Sequence, residues 1–253
     1  MRSPYLTACA GALFALSAHA QDGALTLGGA FDYSSGDYGT TTTTRIAALS
    51  AIGRYETGKW IFKATVPYLS VDGDTGVIPG IGRARGAPAR STKESGMGDI
   101  VLSATYGLFY DKASTLGVDL TGKVKLGTAD ESKGLGTGEH DFAALIDLYK
   151  TYDRVTGFGG IGYHVMGDSP TLQLENAWSA NLGASYRLDE RDSVGAMLEG
   201  RQRVAAGGAR QRDLMGFWTR RLDGGWKAQA YGLIGLADGS PDWGAGASLA
   251  RAF

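Results

Sequence analysis

Past the first twenty residues the chain holds two histidines, His140 and His164, the side chains best equipped for catalysis or metal binding. Both fall near the outer ends of neighbouring segments, where a shared metal would want a third ligand, with Asp141 or Asp168 the candidates. Two histidines at a polar rim are more often solvated, so no metal is expected. A serine hydrolase needs a His within hydrogen-bond reach of a Ser and a third group to orient it. Neither histidine has an evident Ser partner on an adjoining lipid-facing position, which leaves a lipase-like enzyme as the weakest reading. Asp72-Gly73-Asp74-Thr75-Gly76 opens like a calcium loop but lacks the downstream bidentate Glu, so a polar turn is expected. Leu135-Gly136-Thr137-Gly138 lacks the spacing and following helix of a phosphate-cradling loop. The one cysteine, Cys9, lies in the N-terminal apolar segment with too short a core before it for a lipoprotein signal. The rest of the chain therefore has no disulfide, thiol nucleophile or Cys-ligated metal. No catalytic residue, cofactor or metal is assigned.

The chemistry that remains is electrostatic. Period-2 alternation points Lys59, Lys63, Lys123, Lys125, Arg187, Arg201, Arg203 and Lys227 to one face, with Asp99, Asp119, Asp141, Asp147 and Glu199 beside them. If that face lines a lumen, the mild basic excess favours acidic or aromatic-acid solutes. The equal alternative is a cross-strand ion-pair network that stabilises and narrows the lumen, because buried charges must be paired.

The elements that would hold these residues are strands. Gly is 40 of 253 residues, against a usual ~7 %, and interior Gly weakens helices. Pro is 6 and hydrophobic residues are 43 %, which excludes collagen and disorder; a net charge of −1 with no basic stripe excludes a nucleic-acid binder. Arg2, the apolar run Leu6 to Ala18 and Ala18-His19-Ala20 form a secretory signal peptide, so residues 1–20 are expected to be removed and 21–253 to form one domain. Beyond it no run reaches 18 apolar residues, but an exported chain can enter a membrane as a closed β-barrel.

From Ala24 onward the alternation predicts strands at 24–33, 43–55, 59–71, 97–110, 115–127, 139–150, 155–166, 173–188, 193–203, 211–222, 225–237 and 242–253. These match the roughly 9–11 residues a tilted strand needs to cross a bilayer. Tight and long connections alternate, as in a transmembrane antiparallel β-barrel with short periplasmic turns and longer extracellular loops. About twelve strands are expected. Tyr55, Trp60, Tyr110, Tyr186, Trp226 and Phe253 cluster at the tight-turn ends. Tyr33, Tyr68, Phe142, Trp178 and Trp243 sit toward the long-loop ends, giving two aromatic girdles. The terminal strand, Trp243 to Phe253, ends on Phe253 and resembles the signal read by the barrel-assembly machinery, although Arg251 breaks its apolar face. Pro67, lacking an N–H, implies a gap in the third strand's ladder. The longest connection, 72–96, carries Arg83, Arg85, Arg90 and Lys93; its Gly and Pro content opposes regular structure. It can fold inward as a constriction, cover the surface and contact lipopolysaccharide, or stay a mobile outer loop.

Several phrases resemble the outer-membrane transporters grouped under the MetA pathway of phenol degradation. They are Val66-Pro67-Tyr68, Gly96-Met97-Gly98-Asp99, Val124-Lys125-Leu126-Gly127-Thr128-Ala129-Asp130 and Lys133-Gly134-Leu135-Gly136-Thr137-Gly138-Glu139-His140-Asp141. The resemblance implies a barrel channel for small, aromatic-type molecules and supplies no binding residues. The expectation is an outer-membrane channel for diffusion of small solutes, with lipid, lipopolysaccharide and a small-molecule solute as partners. A closed structural barrel is the alternative.

Overall fold

The computed structural model describes residues 23–84, 91–168 and 172–253. The expected signal peptide, 1–20, lies outside them, as do Arg85 and Arg90. Fifteen strands follow one another: β1 (Ala24–Gly36), β2 (Thr44–Thr57), β3 (Trp60–Asp74), β4 (Val77–Ile78), β5 (Gly82–Arg83), β6 (Ser91–Met97), β7 (Ile100–Asp111) and β8 (Leu116–Leu126). β9 (Asp141–Tyr152), β10 (Val155–Val165), β11 (Ala177–Arg187), β12 (Asp192–Arg201), β13 (Gln211–Arg221), β14 (Trp226–Gly235) and β15 (Trp243–Ala252) complete the chain. Each wall strand pairs antiparallel with its sequence neighbour, and β15 returns to pair with β1 from Thr26↔Ala252 to Ser35↔Trp243. The sheet is thereby a closed barrel. β6 and β7 occupy one place in the wall, so it has twelve strands.

Closure is read in the side chains. Along β2, Thr44, Ile46, Ala48, Ser50, Ile52, Arg54 and Glu56 are buried while Arg45, Leu49, Ala51 and Tyr55 are exposed. The outward face is the apolar one: Leu182 is 71 % exposed and Leu49 63 %, whereas Thr121, Thr156, Ser185 and Ser248 point inward and are buried. Each outward Leu or Phe would lose ~1.5–3 kcal/mol if it faced water, so the wall demands lipid. The outward-facing Tyr55, Trp60, Tyr110, Tyr186 and Trp226 at one end and Tyr68, Phe142, Trp178 and Trp243 at the other form the two girdles.

Inside, glycines oppose rings. Gly117↔Tyr149, Gly183↔Phe158, Gly195↔Phe217 and Gly246↔Tyr231 are direct cross-strand partners, and a Cβ at any of the four glycines would run into its ring. Each ring therefore lies flat on the wall over a glycine, the device that rescues a glycine in a sheet.

The alternation located the wall strands to within a few residues, with two exceptions. The segment expected from 173 is strand only from Ala177, with Leu174 engaged in an isolated bridge to Ala205. The 72–96 connection, expected to be irregular, contains regular structure. Gly80 and Gly82, at φ +80° and +88°, close a turn that lets β4 and β5 pair. β6 continues the ladder of β3: Thr65 pairs with Val101 of β7, and Tyr68 with Met97 of β6. The expected gap at Pro67 is the changeover, bridged by the Gly98 N–H donating to the Pro67 carbonyl at 2.8 Å. Tight turns are held by their own side chains: the Asp192 and Arg191 amides donate to the Asp189 carboxylate at 2.7 Å each and hold it below the usual carboxylate range.

Candidate functional site: the lumen and its outer stopper

The outer mouth is locked by one lysine. Lys125 on β8 bridges Asp99 at 3.1 Å and Asp141 at 2.8 Å, and its ammonium donates to the Thr137 hydroxyl at 2.8 Å. The bulge after β6 presents Asp99, which also accepts the Ala129 N–H; Asp141, opening β9, accepts the Gly167 N–H. Thr128 ties the loop to the same bulge by donating to the Gly98 carbonyl at 3.0 Å. Asp130 caps the short 3₁₀ turn Glu131–Lys133, and the Ser132 hydroxyl, donating at 2.6 Å, holds its carboxyl below the usual range. Leu135 and Thr137 are thereby pulled into the mouth, each 1 % exposed.

Loop side chains fill the space under this lock. Val77 of β4 joins Tyr38, Ile46, Leu69, Val71, Ala129 and Leu135 in one apolar cluster. Ile78 and Ile81 join Met166, Leu172, Leu174 and Val204 in another. Arg201 on β12 donates to the carbonyls of Gly80 and Ile81 at 2.8 and 3.3 Å, holding the β4–β5 hairpin across the bore. The described hairpin of the longest loop, β4–β5, is thus folded inward.

Lower in the barrel the charges are segregated. Register lines up Arg54, Lys63, Ser103 and Lys123 across β2, β3, β7 and β8. A second lateral row runs Asp119, Asp147, Gly160, Asn181, Glu199 and Asp213 across β8 to β13. Where the row meets Gly160, Asn181 reaches past it to hydrogen-bond Asp147. Near the end of the acidic row, Phe158, Met197, Met215, Phe217, Tyr231 and Leu233 form an apolar patch on the inner wall. Beside it is a cavity of about 40 Å³. Tyr231 lies across Gly246 of β15 and donates its hydroxyl to Asp32 of β1 at 2.5 Å.

Of the residues singled out from the sequence, Lys63, Lys123, Lys125, Arg201, Lys227, Asp99, Asp119, Asp141, Asp147 and Glu199 face inward. Three stand elsewhere. Lys59 is exposed at the β2–β3 turn with its ammonium 5.8 Å from the Tyr106 ring centre. Arg187 is exposed at a tight turn, donating to the Asp153 carbonyl, and Arg203 pairs with Glu175 on the loop surface at 3.4 Å. Lys59 and Arg203 lie beyond the strand ends, and Arg187 is the last residue of β11, where side chains no longer obey the alternation. Sequence reasoning also missed Arg54, whose guanidinium pairs with Glu56, and Asp32 and Asp213. Their signal was present: each sits at an inward position of its alternating strand. Among the described residues the inward charges become six bases and eight acids, and the expected basic excess is absent.

The histidines do not share a site. His140 accepts the Gly127 N–H through Nδ1 at 3.1 Å. His164 has a Ser partner after all, Ser179, at 2.9 Å. The pair faces the lumen, with Ser179 opposite Arg201, and not the lipid where a phospholipid would lie. The candidate third ligands are engaged: Asp141 with Lys125, and Asp168 with the Leu174 N–H. Asp74 closes its own turn by accepting the Gly76 N–H. Phe253 stands exposed, its N–H donating to the Leu25 carbonyl and its ring 5.0 Å from the Arg251 guanidinium.

A family model described as "Putative MetA-pathway of phenol degradation" matches residues 18–250. A crystallised outer membrane channel from Pseudomonas putida F1 superposes with a TM-score of 0.67 at 14 % identity, covering 93 % of this chain and 97 % of that one. The β domain of the Bordetella autotransporter BrkA gives 0.53 at 11 % identity, covering 92 % and 100 %. The translocator domain of the autotransporter NalP from Neisseria meningitidis gives 0.52 at 11 %, covering 94 % and 90 %. These likenesses establish the outer-membrane barrel fold. No curated protein matches the chain in sequence.

Proposed function

The chain belongs to the phenol-degradation MetA-pathway family, and from that premise we propose that it is an outer-membrane channel through which small solutes diffuse without energy coupling. The observation that carries this is the lumen wall. Two charged rows and an apolar, ring-lined patch share the inner face, an arrangement suited to a passing solute with both apolar and polar parts. The solved Pseudomonas putida barrel is itself described as a channel, which agrees with the reading. Flat rings over glycines offer faces on which an aromatic solute can stack. The eight-to-six balance of inward charge removes the argument for acidic solutes.

The closed-barrel reading is favoured by one observation, the apolar stopper around Val77 and Ile78, each 1 % exposed. The two readings part in a planar bilayer. A chain with residues 77–83 replaced by a short Gly-Ser turn should conduct in discrete steps larger than those of the native chain. If both chains refold and both are silent, the channel reading fails.

A further inference from the structure

Arg201 is 8 % exposed and directs its guanidinium at two neutral acceptors, the Gly80 and Ile81 carbonyls of the β4–β5 turn. Its Nε is buried and, among the described residues, has no hydrogen-bond partner. On the next strand, the side chain of Asp213 hydrogen-bonds Ser240, but its Oδ1 is buried without a partner. Register sets Glu199 opposite Asp213 and Arg201 opposite Gln211, so Arg201 and Asp213 are diagonal neighbours on the inner face. Such a pair stands about 7–8 Å apart, within the reach of an arginine. A buried donor and a buried acceptor of opposite charge, each left unmet, thus lie within one side-chain swing of each other.

Glu199, Asp141 and Asp213 all lie within electrostatic range of Arg201. Asp141 is held by Lys125 and the Gly167 N–H, and Glu199 also lies within range of Lys123. Asp213 is the one whose buried oxygen has no donor. A carboxylate opposes the guanidinium charge and can take two parallel N–H bonds, which a carbonyl cannot. What keeps Arg201 on the hairpin instead is the apolar packing of Ile78 and Ile81 against Met166, Leu172, Leu174 and Val204. Withdrawing the hairpin exposes those side chains but releases Arg201 to Asp213, so each arrangement satisfies what the other leaves unmet. We propose that Arg201 is an exchangeable latch. In the plugged state it holds the Gly80 and Ile81 carbonyls; when the hairpin lifts, the guanidinium transfers to Asp213 and the ion pair holds the unplugged state. Its use as a gate for solutes rests on the channel reading; the exchange itself does not.

The test is the rate at which a charged, water-soluble maleimide labels Ile78→Cys in the whole refolded chain, with Cys9→Ser removing the natural thiol. Ile78 is 1 % exposed, so the thiol reacts only when the hairpin leaves its seat. Arg201→Gln should label about tenfold faster or more, as expected for losing bonds from a charged donor. Asp213→Asn should label several-fold slower than its parent, because the unplugged state loses its ion pair while the plugged state makes no hydrogen bond to Oδ1. A merely structural aspartate gives the opposite sign, since loosening the mouth speeds labelling. In the Arg201→Gln background, Asp213→Asn should change nothing. If Arg201→Gln fails to fold, the sign of Asp213→Asn decides alone. Labelling of Asp213→Asn as fast as its parent or faster would overturn the proposal, as would equal slowing in both backgrounds or no acceleration in Arg201→Gln. Conductance of the same chains in planar bilayers is a separate readout. Slowed labelling with silent bilayers sinks the channel and leaves the latch standing, whereas conductance with unaltered labelling does the reverse.

Discussion

Lys125 lies between two carboxylates at the point where the bulge, the 127–140 loop and the start of β9 meet. Replacing it with Met leaves Asp99 and Asp141 facing each other in a half-buried space. Losing one partner of a buried pair costs about 3 kcal/mol. The Lys125→Met barrel should therefore lose about that much stability in urea titrations in lipid. Trypsin should also cut after the exposed Lys133 several-fold faster than in the native chain, because Thr137 loses its donor and the loop its anchor. Unchanged cleavage would mean that the apolar contacts of Leu135 hold the loop alone. The same lock shows what the sequence revealed at this scale. Gly98-Asp99, Lys125 to Asp130 and Leu135 to Gly138 stood out as family phrases spread over forty residues of chain. Their meeting at one ammonium was not legible, because it depends on how the loop folds back over the mouth.

Among the elements, the paired glycines and rings explain much of the unusual glycine content. Gly195→Val would drive a methyl group into the Phe217 ring and push it off the wall into the bore. Overpacking of this kind costs about 1–3 kcal/mol. The variant should unfold at lower urea, whereas Gly216→Val, where the wall leaves open space for a Cβ, should not. Equal losses at both positions would show that backbone freedom, and not ring clearance, sets the demand for glycine. Strand positions were readable from alternation because a membrane wall enforces it residue by residue: one slip would turn Leu49 inward and Ser50 to lipid. The rule weakens at the last residue of a strand and ends beyond it, which is why Arg187, Lys59 and Arg203 were misplaced. It is also silent on loops, which is why the β4–β5 hairpin could not be foreseen.

For the whole molecule, the balance of eight inward acids to six bases sets the sign of ion selectivity. In a bilayer separating unequal concentrations of potassium chloride, the chain freed of its hairpin stopper should show a mild cation preference. Asp147→Asn with Glu199→Gln should move the reversal potential toward zero or past it, and an anion preference in the unmutated lumen would refute the count. The seam where β15 meets β1 has a separate consequence. Ten residue pairs join the two ends of the chain's wall, and Tyr231 lies across them like a strap, with its hydroxyl on Asp32. A hoop of this kind has no loose end from which to unravel. Any first break exposes two raw strand edges to hydrocarbon, where each unpaired amide or carbonyl costs several kcal/mol. The barrel should thus hold together like a coopered cask, stave against stave, failing all at once when it fails, with a rate set by the tightness of its hoop and not by the sum of its contacts.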